Sequence, residues 1–397
     1  MKRLFFIIGI TSIFILAMVL LFLLLASDTQ KKQIFNTFNF GGSSLEEGTI
    51  EQIIDAIIPG NEVNELAALR QLTIKQVIGA IEITPTASSS NTLVSYAEAG
   101  TGHIYNLNIQ TAVEERISNI TVPTAQKAVF SKSGKYAAVA TDVTGEGRSL
   151  TLVTLPGTED ELSSRKISEL IQEFTITSDD KLLYTTVVND VLTARTYNPL
   201  TSETKTLFTL PFKEATVRFG IKSTDSAYVY PQVANSLEGY VYEVNGGILQ
   251  RLPISGFGLS VIAQNNTLLY SLTIDDTLTS SIYTVTTKSS NPLPLPVFPE
   301  KCALISLSNT LFCGITTDPA IHNLENWYKG VGVSADDLWL FDLDTNNSNR
   351  IASPSDLVGR DIDLEDPFVS DDARRFYFKN KIDGTLWILD QALINNQ

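Results

Sequence analysis

Histidine is nearly missing from this chain: His103 and His322 are the only two in 397 residues. That leaves little for general-base or metal chemistry, in which imidazole is the commonest donor. Cysteine is as scarce, with Cys302 and Cys313 alone. No second cysteine pair exists to complete a zinc site. Gly-x-Ser-x-Gly, the P-loop, the dinucleotide fingerprint and Cys-x-x-Cys are all absent. With no catalytic constellation, the sequence predicts a protein that is not an enzyme and takes no cofactor or metal. Positive charge is short as well: 29 Lys and Arg stand against 44 Asp and Glu, a formal charge of −15. Nucleic acid, whose phosphates need clustered Lys and Arg, is excluded as a partner. The acidity reads as a solubilising surface.

Apolar material is plentiful, at 43% of the chain. Residues 4–26, LFFIIGITSIFILAMVLLFLLLA, form one uncharged run. At ~1.5 Å per residue such a helix is about 34 Å long and crosses a ~30 Å hydrocarbon core. It exceeds the apolar stretch of a secretory signal, and cleavage after Ala26 would put Leu24 where a small residue is needed. The run therefore reads as an uncleaved signal anchor. Residues 1–3 form a cytoplasmic tail, and the rest of the chain is expected outside the cytoplasm of a single-pass cell-membrane protein. Residues 27–69 read as a linker, with Gly41, Gly42, Ser43 and Ser44 as breakers. Within it, Ile50, Ile53, Ile54, Ile57 and Ile58 predict a short helix over about 49–58, capped by Thr49 and stopped by Pro59-Gly60.

Beyond the linker a unit recurs: a hydrophobic strand, a polar turn and a second hydrophobic strand. The residues leaving the turns are Leu93, Tyr136, Leu182, Ala227, Leu268, Leu311 and Phe376. Their spacings are 43, 46, 45, 41 and 43 residues, then 65. Several short strands in a period of this length mark a β-propeller with one four-stranded blade per repeat. The last repeat ends after its third strand, while an orphan strand, Arg70 to Gln76, precedes the first. Pairing residues 70–76 with the strand around Leu386–Leu389 would close the ring and remove an exposed edge. The expectation is an all-β, seven-bladed propeller over residues 70–397.

Cys302 and Cys313 stand on the two arms of one hairpin. A turn centred between Leu307 and Ser308 puts them opposite each other and allows a disulfide. A slip of one residue puts them on opposite faces. The long last interval contains an insertion, Thr316 to Gly332, bearing His322, Trp327 and Tyr328. Such a loop either grips a ligand with its aromatics or folds as a lid over the propeller. An acidic segment follows, with Asp361, Asp363, Glu365 and Asp366 before Pro367. It suits a cation or a basic peptide, or it is a solvated loop. Asp342 to Asn349 resembles the start of a calcium loop but lacks its glycine and its final Glu, and reads as an Asn- and Asp-rich turn.

The hairpins at Phe130–Tyr136 and Phe174–Leu183, with the third strands at Leu338-Trp339 and Leu386-Trp387, resemble the WD40-like propellers of the TolB type from bacterial envelopes. The stretch Cys302 to Cys313, with Asn326-Trp-Tyr-Lys-Gly330, is similar to a group of membrane-anchored bacterial propellers. The TolB resemblance implies a protein-binding platform in the cell envelope. This chain departs from that pattern, having no separate α/β domain before the propeller. The reading that follows is a membrane-anchored scaffold that binds an envelope protein or peptide. The alternative is a carbohydrate- or cell-wall-binding module, or a remnant hydrolase, working through the Trp327–Tyr328 loop.

Overall fold

Alternation of apolar and polar residues sets the strands, and the polar turns between them set their ends. A computed structural model describes residues 67–83, 92–143, 147–157, 161–264, 266–305, 308–317 and 324–394. The apolar run 4–26, the expected helix near 49–58 and nearly all of the expected linker lie outside the described residues.

Strand β1 (Leu69–Gln71) comes first in the chain but belongs to the last sheet. The first sheet orders β2 (Val77–Ile83), β3 (Leu93–Glu98), β4 (Ile104–Asn108) and β5 (Glu114–Ser118). The second holds β6 (Lys127–Phe130), β7 (Tyr136–Val143), β8 (Gly147–Thr154) and β9 (Ser163–Lys166). The third holds β10 (Phe174–Ile176), β11 (Leu182–Val188), β12 (Val191–Asn198) and β13 (Glu203–Leu210). A long sheet of seven strands follows: β14 (Thr216–Arg218), β15 (Ala227–Tyr230), β16 (Glu238–Asn245), β17 (Ile248–Gln264), β18 (Thr267–Ile274), β19 (Thr277–Thr284) and β20 (Ser289–Pro292). The penultimate sheet contains β21 (Cys302–Ile305), β22 (Thr310–Thr316), β23 (Asp336–Asp342) and β24 (Asn347–Ala352). The last places β1 beside β27 (Leu386–Asp390), then β26 (Arg375–Asn380) and β25 (Leu364–Val369). The turn-exit residues read from the sequence stand first or second in β3, β7, β11, β15, β18, β22 and β26. All pairings are antiparallel, which makes the described chain an all-β propeller.

Chain-end pairing completes the last sheet. Leu69 lies opposite Leu389, Arg70 opposite Ile388 and Gln71 opposite Trp387. The ladder is shorter than residues 70–76, because Thr73 turns its hydroxyl to accept the Leu386 N–H at 3.0 Å. Packing joins the first and last sheets as well: Val77, Tyr96 and Leu107 share a core with Tyr377, Leu386 and Ile388. Similar cores lie between neighbours elsewhere, such as Tyr136 and Leu150 with Phe174 and Leu182.

Innermost strands crowd one another, and glycine permits it. A Cβ on Gly79 would lie 2.0 Å from the Ala128 carbonyl oxygen, so the backbones of β2 and β6 approach only because no side chain intervenes. In the penultimate sheet Cys302 pairs with Cys313, and a disulfide joins them with their Cα atoms 4.2 Å apart.

Antiparallel order divides the loops between two faces. The turns joining second to third strands, and the connections from one sheet to the next, lie on one face, here called the upper. The remaining turns lie on the lower. Residues 324–335, which lead into β23, belong to the upper face.

The expected membrane location is corrected. No helix among the described residues is long and apolar enough to cross a membrane. The run 4–26, on which that expectation rested, lies outside those residues.

Candidate functional site

The described part of the insertion, residues 324–332, forms a strap on the upper face. Its one short helix, α1 (Leu324–Tyr328), is held at two ends. Glu325 Oε2 accepts the backbone N–H of Asn235, 2.9 Å away in the loop after β15. Trp327 is 3% exposed and meets the Phe298 ring edge-on with centroids 5.8 Å apart. Its indole Nε1 donates to both oxygens of Asp363, at 2.9 and 3.2 Å. Lys381 stands over the same ring at 3.7 Å and donates to the Trp327 carbonyl. Trp327 is therefore unavailable to stack on a ligand. It anchors the strap through its contacts with Phe298, Asp363 and Lys381.

Beneath the strap lies a buried ionic cluster. Lys301 is 1% exposed, and its Nζ lies 2.6 Å from Asp336 Oδ2 and 2.6 Å from Asp363 Oδ1. Ser334, also buried, accepts from the same Nζ. Its hydroxyl lies 2.9 Å from Asp336 Oδ1 and 3.2 Å from Asp363 Oδ1. Backbone N–H groups complete the shell, from Ser334 to Asp363 and from Leu364 to Asp336 at 2.8 Å. Burial pushes the Asp336 carboxyl up, against the pull of Lys301 and the Leu364 N–H. Sequence reading found Asp363 but missed Lys301, Ser334 and Asp336. Lys301 and Asp363 are 62 positions apart and no local motif links them. The one available signal was a lysine directly following Phe-Pro-Glu at the start of an apolar inner strand.

A second set of charges converges where the inner strands meet. Glu300 accepts from Arg218 at 3.1 Å and from Ser260, whose hydroxyl is 2.7 Å from that of Tyr328. Burial raises the Glu300 carboxyl, with Arg218 opposing. Lys127 lies 3.8 Å from Glu173, and Lys379 is 2.8 Å from Glu365 and 3.2 Å from Asp366. Asp366 has φ of +49° and sits in the register break between Glu365 and Phe368. A left-handed residue before proline is sterically unfavourable, and the bulge turns its side chain off the ladder. That side chain is 69% exposed, so water reaches it. Crowding would raise its carboxyl, yet Lys379, Lys127 and Arg218 hold it below the ordinary carboxylate range. Those three cations come from three different sheets, which brings their fields together at the centre of the ring.

The sequence candidates thus separate. Trp327 and Asp363 bond to each other inside the protein. Tyr328 is exposed at the edge of the Glu300 group, and Glu365 and Asp366 share Lys379. Asp361 is exposed and accepts from Ser355 at 3.1 Å. His322 lies outside the described residues. Asp342 spends one oxygen on the backbone N–H groups of Asp344 and Thr345, as an Asn- and Asp-rich turn does.

No family model matches this chain. No curated protein matches it in sequence. Solved structures do match in fold. It is similar to an oligogalacturonate lyase from Vibrio parahaemolyticus, with a TM-score of 0.55 and 11% identity over 81% of this chain and 93% of that one. An oligogalacturonate lyase in complex with manganese gives a TM-score of 0.55 and 11% identity over 82% and 96%. A streptogramin B lyase gives 0.51 and 11% over 81% and 96%. At this identity the likeness shows the propeller fold alone. It also corrects the expectation that the chain is not an enzyme. That expectation rested on missing motifs, and solved propellers similar in fold include lyases.

Proposed function

We propose that the chain is a protein-binding scaffold that presents its upper face to a partner with apolar and basic side chains. One observation carries this reading. The large exposed hydrophobics gather on the upper face: Ile74, Leu237, Phe257, Ile274, Val331, Val333 and Ile382. The lower face has Val113, Leu200, Ile248 and Leu249. Phe257 pairs with Glu238 on one side and Thr273 on the other, so Leu237 and Ile274 lie one position further along the two neighbouring strands. The Asn235–Glu325 bond ties this region to the strap that carries Val331 and Val333. Grouped apolar side chains edged by Glu238, Asp275 and Asp276 have the composition of an interaction surface. The resemblance of the hairpins to TolB-type platforms favours the same reading. So does a seven-blade count, in which β17 serves as the fourth strand of one blade and the first of the next.

The test compares faces. Phe257→Lys with Ile274→Lys is expected to abolish capture of a partner that the parent protein retains from its native cells. Leu200→Lys with Ile248→Lys should leave that capture intact. Equal capture by all three proteins would refute the assignment.

A second reading is favoured by the fold neighbours together with the central cations Lys127, Arg218 and Lys379. Under it the centre of the ring takes an acidic oligosaccharide. Incubation with oligogalacturonate, followed by ultraviolet absorbance of the unsaturated product, separates the two. Product formation that Lys379→Ala abolishes would favour the second.

A further inference from the structure

The Lys301 cluster has a composition that an ordinary ion pair does not need. One ammonium and two carboxylates are enclosed together, with Lys301 1%, Asp336 3% and Asp363 0% exposed. Charges so enclosed carry a large desolvation cost, and the cluster keeps one more negative group than positive. Replacing an amine and a carboxyl by an amide removes two of the three charges and releases a water.

We propose that Lys301 and Asp336 condense to an isopeptide bond, with Asp363 as the base and Ser334 as the proton relay. The geometry assigns each role. Lys301 Nζ is fixed 2.6 Å from Asp336 Oδ2, one bond from the carboxyl carbon it would attack. Enclosure of both partners gives this encounter an effective concentration on the order of 10⁵–10⁸ M when the groups are well oriented. Asp363 is the partner suited to remain a carboxylate. It accepts the Trp327 indole N–H on both oxygens and the Ser334 backbone N–H, all donors that match an anion. Asp336 is suited to be the electrophile. Its Oδ2 faces the Leu364 N–H at 2.8 Å, a fixed donor for the charge that develops on that oxygen. Ser334 Oγ joins Asp336 Oδ1 to Asp363 Oδ1, which is the route the proton must follow.

The step balances. Asp363 takes a proton from the Lys301 ammonium, and the free amine adds to the Asp336 carboxyl carbon. One N–C bond forms, the bond from that carbon to Oδ1 breaks, and Oδ1 leaves as water. Both protons lost from Nζ depart in that water. Asp363 and Ser334 end as they began, and no oxidant or activating group is required. The new amide ties the entry to the innermost strand of the penultimate sheet to its third strand, beneath the strap.

Mass spectrometry of the full chain, denatured and with its disulfide reduced, tests this directly. The parent protein is expected to weigh less than its sequence by one water. Its tryptic digest should lack cleavage after Lys301 and contain a branched peptide joining Lys301 to Asp336. Lys301→Arg should restore the full mass. Asp336→Asn should lose ammonia in place of water, which reads out the acyl donor. A parent protein at its full sequence mass, with trypsin cutting after Lys301, would overturn the proposal. So would a lost water located elsewhere, as in a succinimide, or a branch to Asp363.

Discussion

Trp327 Nε1 donates to both carboxylate oxygens of Asp363, at 2.9 and 3.2 Å, across 36 positions of sequence. Both residues carried ligand-binding expectations, and each turns out to be the other's partner. The pair closes the strap over the Lys301 cluster and joins the insertion to the last sheet.

Breaking that pair should cost stability. Asp363→Ala removes a buried carboxylate from beside Lys301 and Ser334 and strips Trp327 of its acceptor. A loss of about 3–5 kcal/mol is expected for a buried pair broken from one side. Urea denaturation followed by Trp fluorescence measures it. Asp363→Asn, which keeps an acceptor for the indole, should cost less.

The disulfide should act as a local staple. Cys302 and Cys313 are 11 positions apart, so the loop that the bond closes in the unfolded chain is short. Reduction is expected to lower stability by about 2–3 kcal/mol. Denaturation with and without reductant gives the value, and Cys302→Ser with Cys313→Ser should match the reduced protein.

Removing β1 should expose β27. Leu69, Arg70 and Gln71 occupy its outer edge, and without them a strand of Leu386, Trp387, Ile388 and Leu389 has unpaired backbone. Such an edge templates association. A chain lacking residues 69–76 is expected to elute as aggregates in size-exclusion chromatography with light scattering. A monomeric, cooperatively melting product would show that the ring holds without it.

Glu300 gives a pH dependence of defined sign. Burial raises its carboxyl above the ordinary 4.5, with Arg218 and Ser260 opposing. Between those two values the native state binds more protons than the unfolded chain, so this group's contribution to stability falls as pH rises through the window. Glu300→Gln should flatten the slope of stability against pH just above 4.5. An unchanged slope in urea melts across that range would rule the assignment out. Asp366 has the opposite sign: its contribution is present above the ordinary carboxylate value and fades as pH falls.

Period and polarity alone determined the repeat and the strand starts. These depend on side-chain alternation and turn chemistry, which are local. Leu93, Tyr136, Leu182 and Ala227 begin strands because each follows a polar turn and opens an apolar run. The opposition of Cys302 and Cys313 was one of two registers that the sequence left open, and folding selected it. Only the tertiary structure decided which polar side chains meet. Trp327 looked like a ligand platform because a large aromatic in a long loop is unassigned until its neighbours are known. Folding supplied Phe298, Lys381 and Asp363 around it, from three separate stretches of chain. The Lys301 cluster was invisible for the same reason, since its members stand as far as 62 positions apart. Asp363, Glu365 and Asp366, neighbours in the chain, received three different environments. Asp363, just before β25, is buried against Lys301, Glu365 is partly covered beside Lys379, and the bulge turns Asp366, on the same lysine, into water.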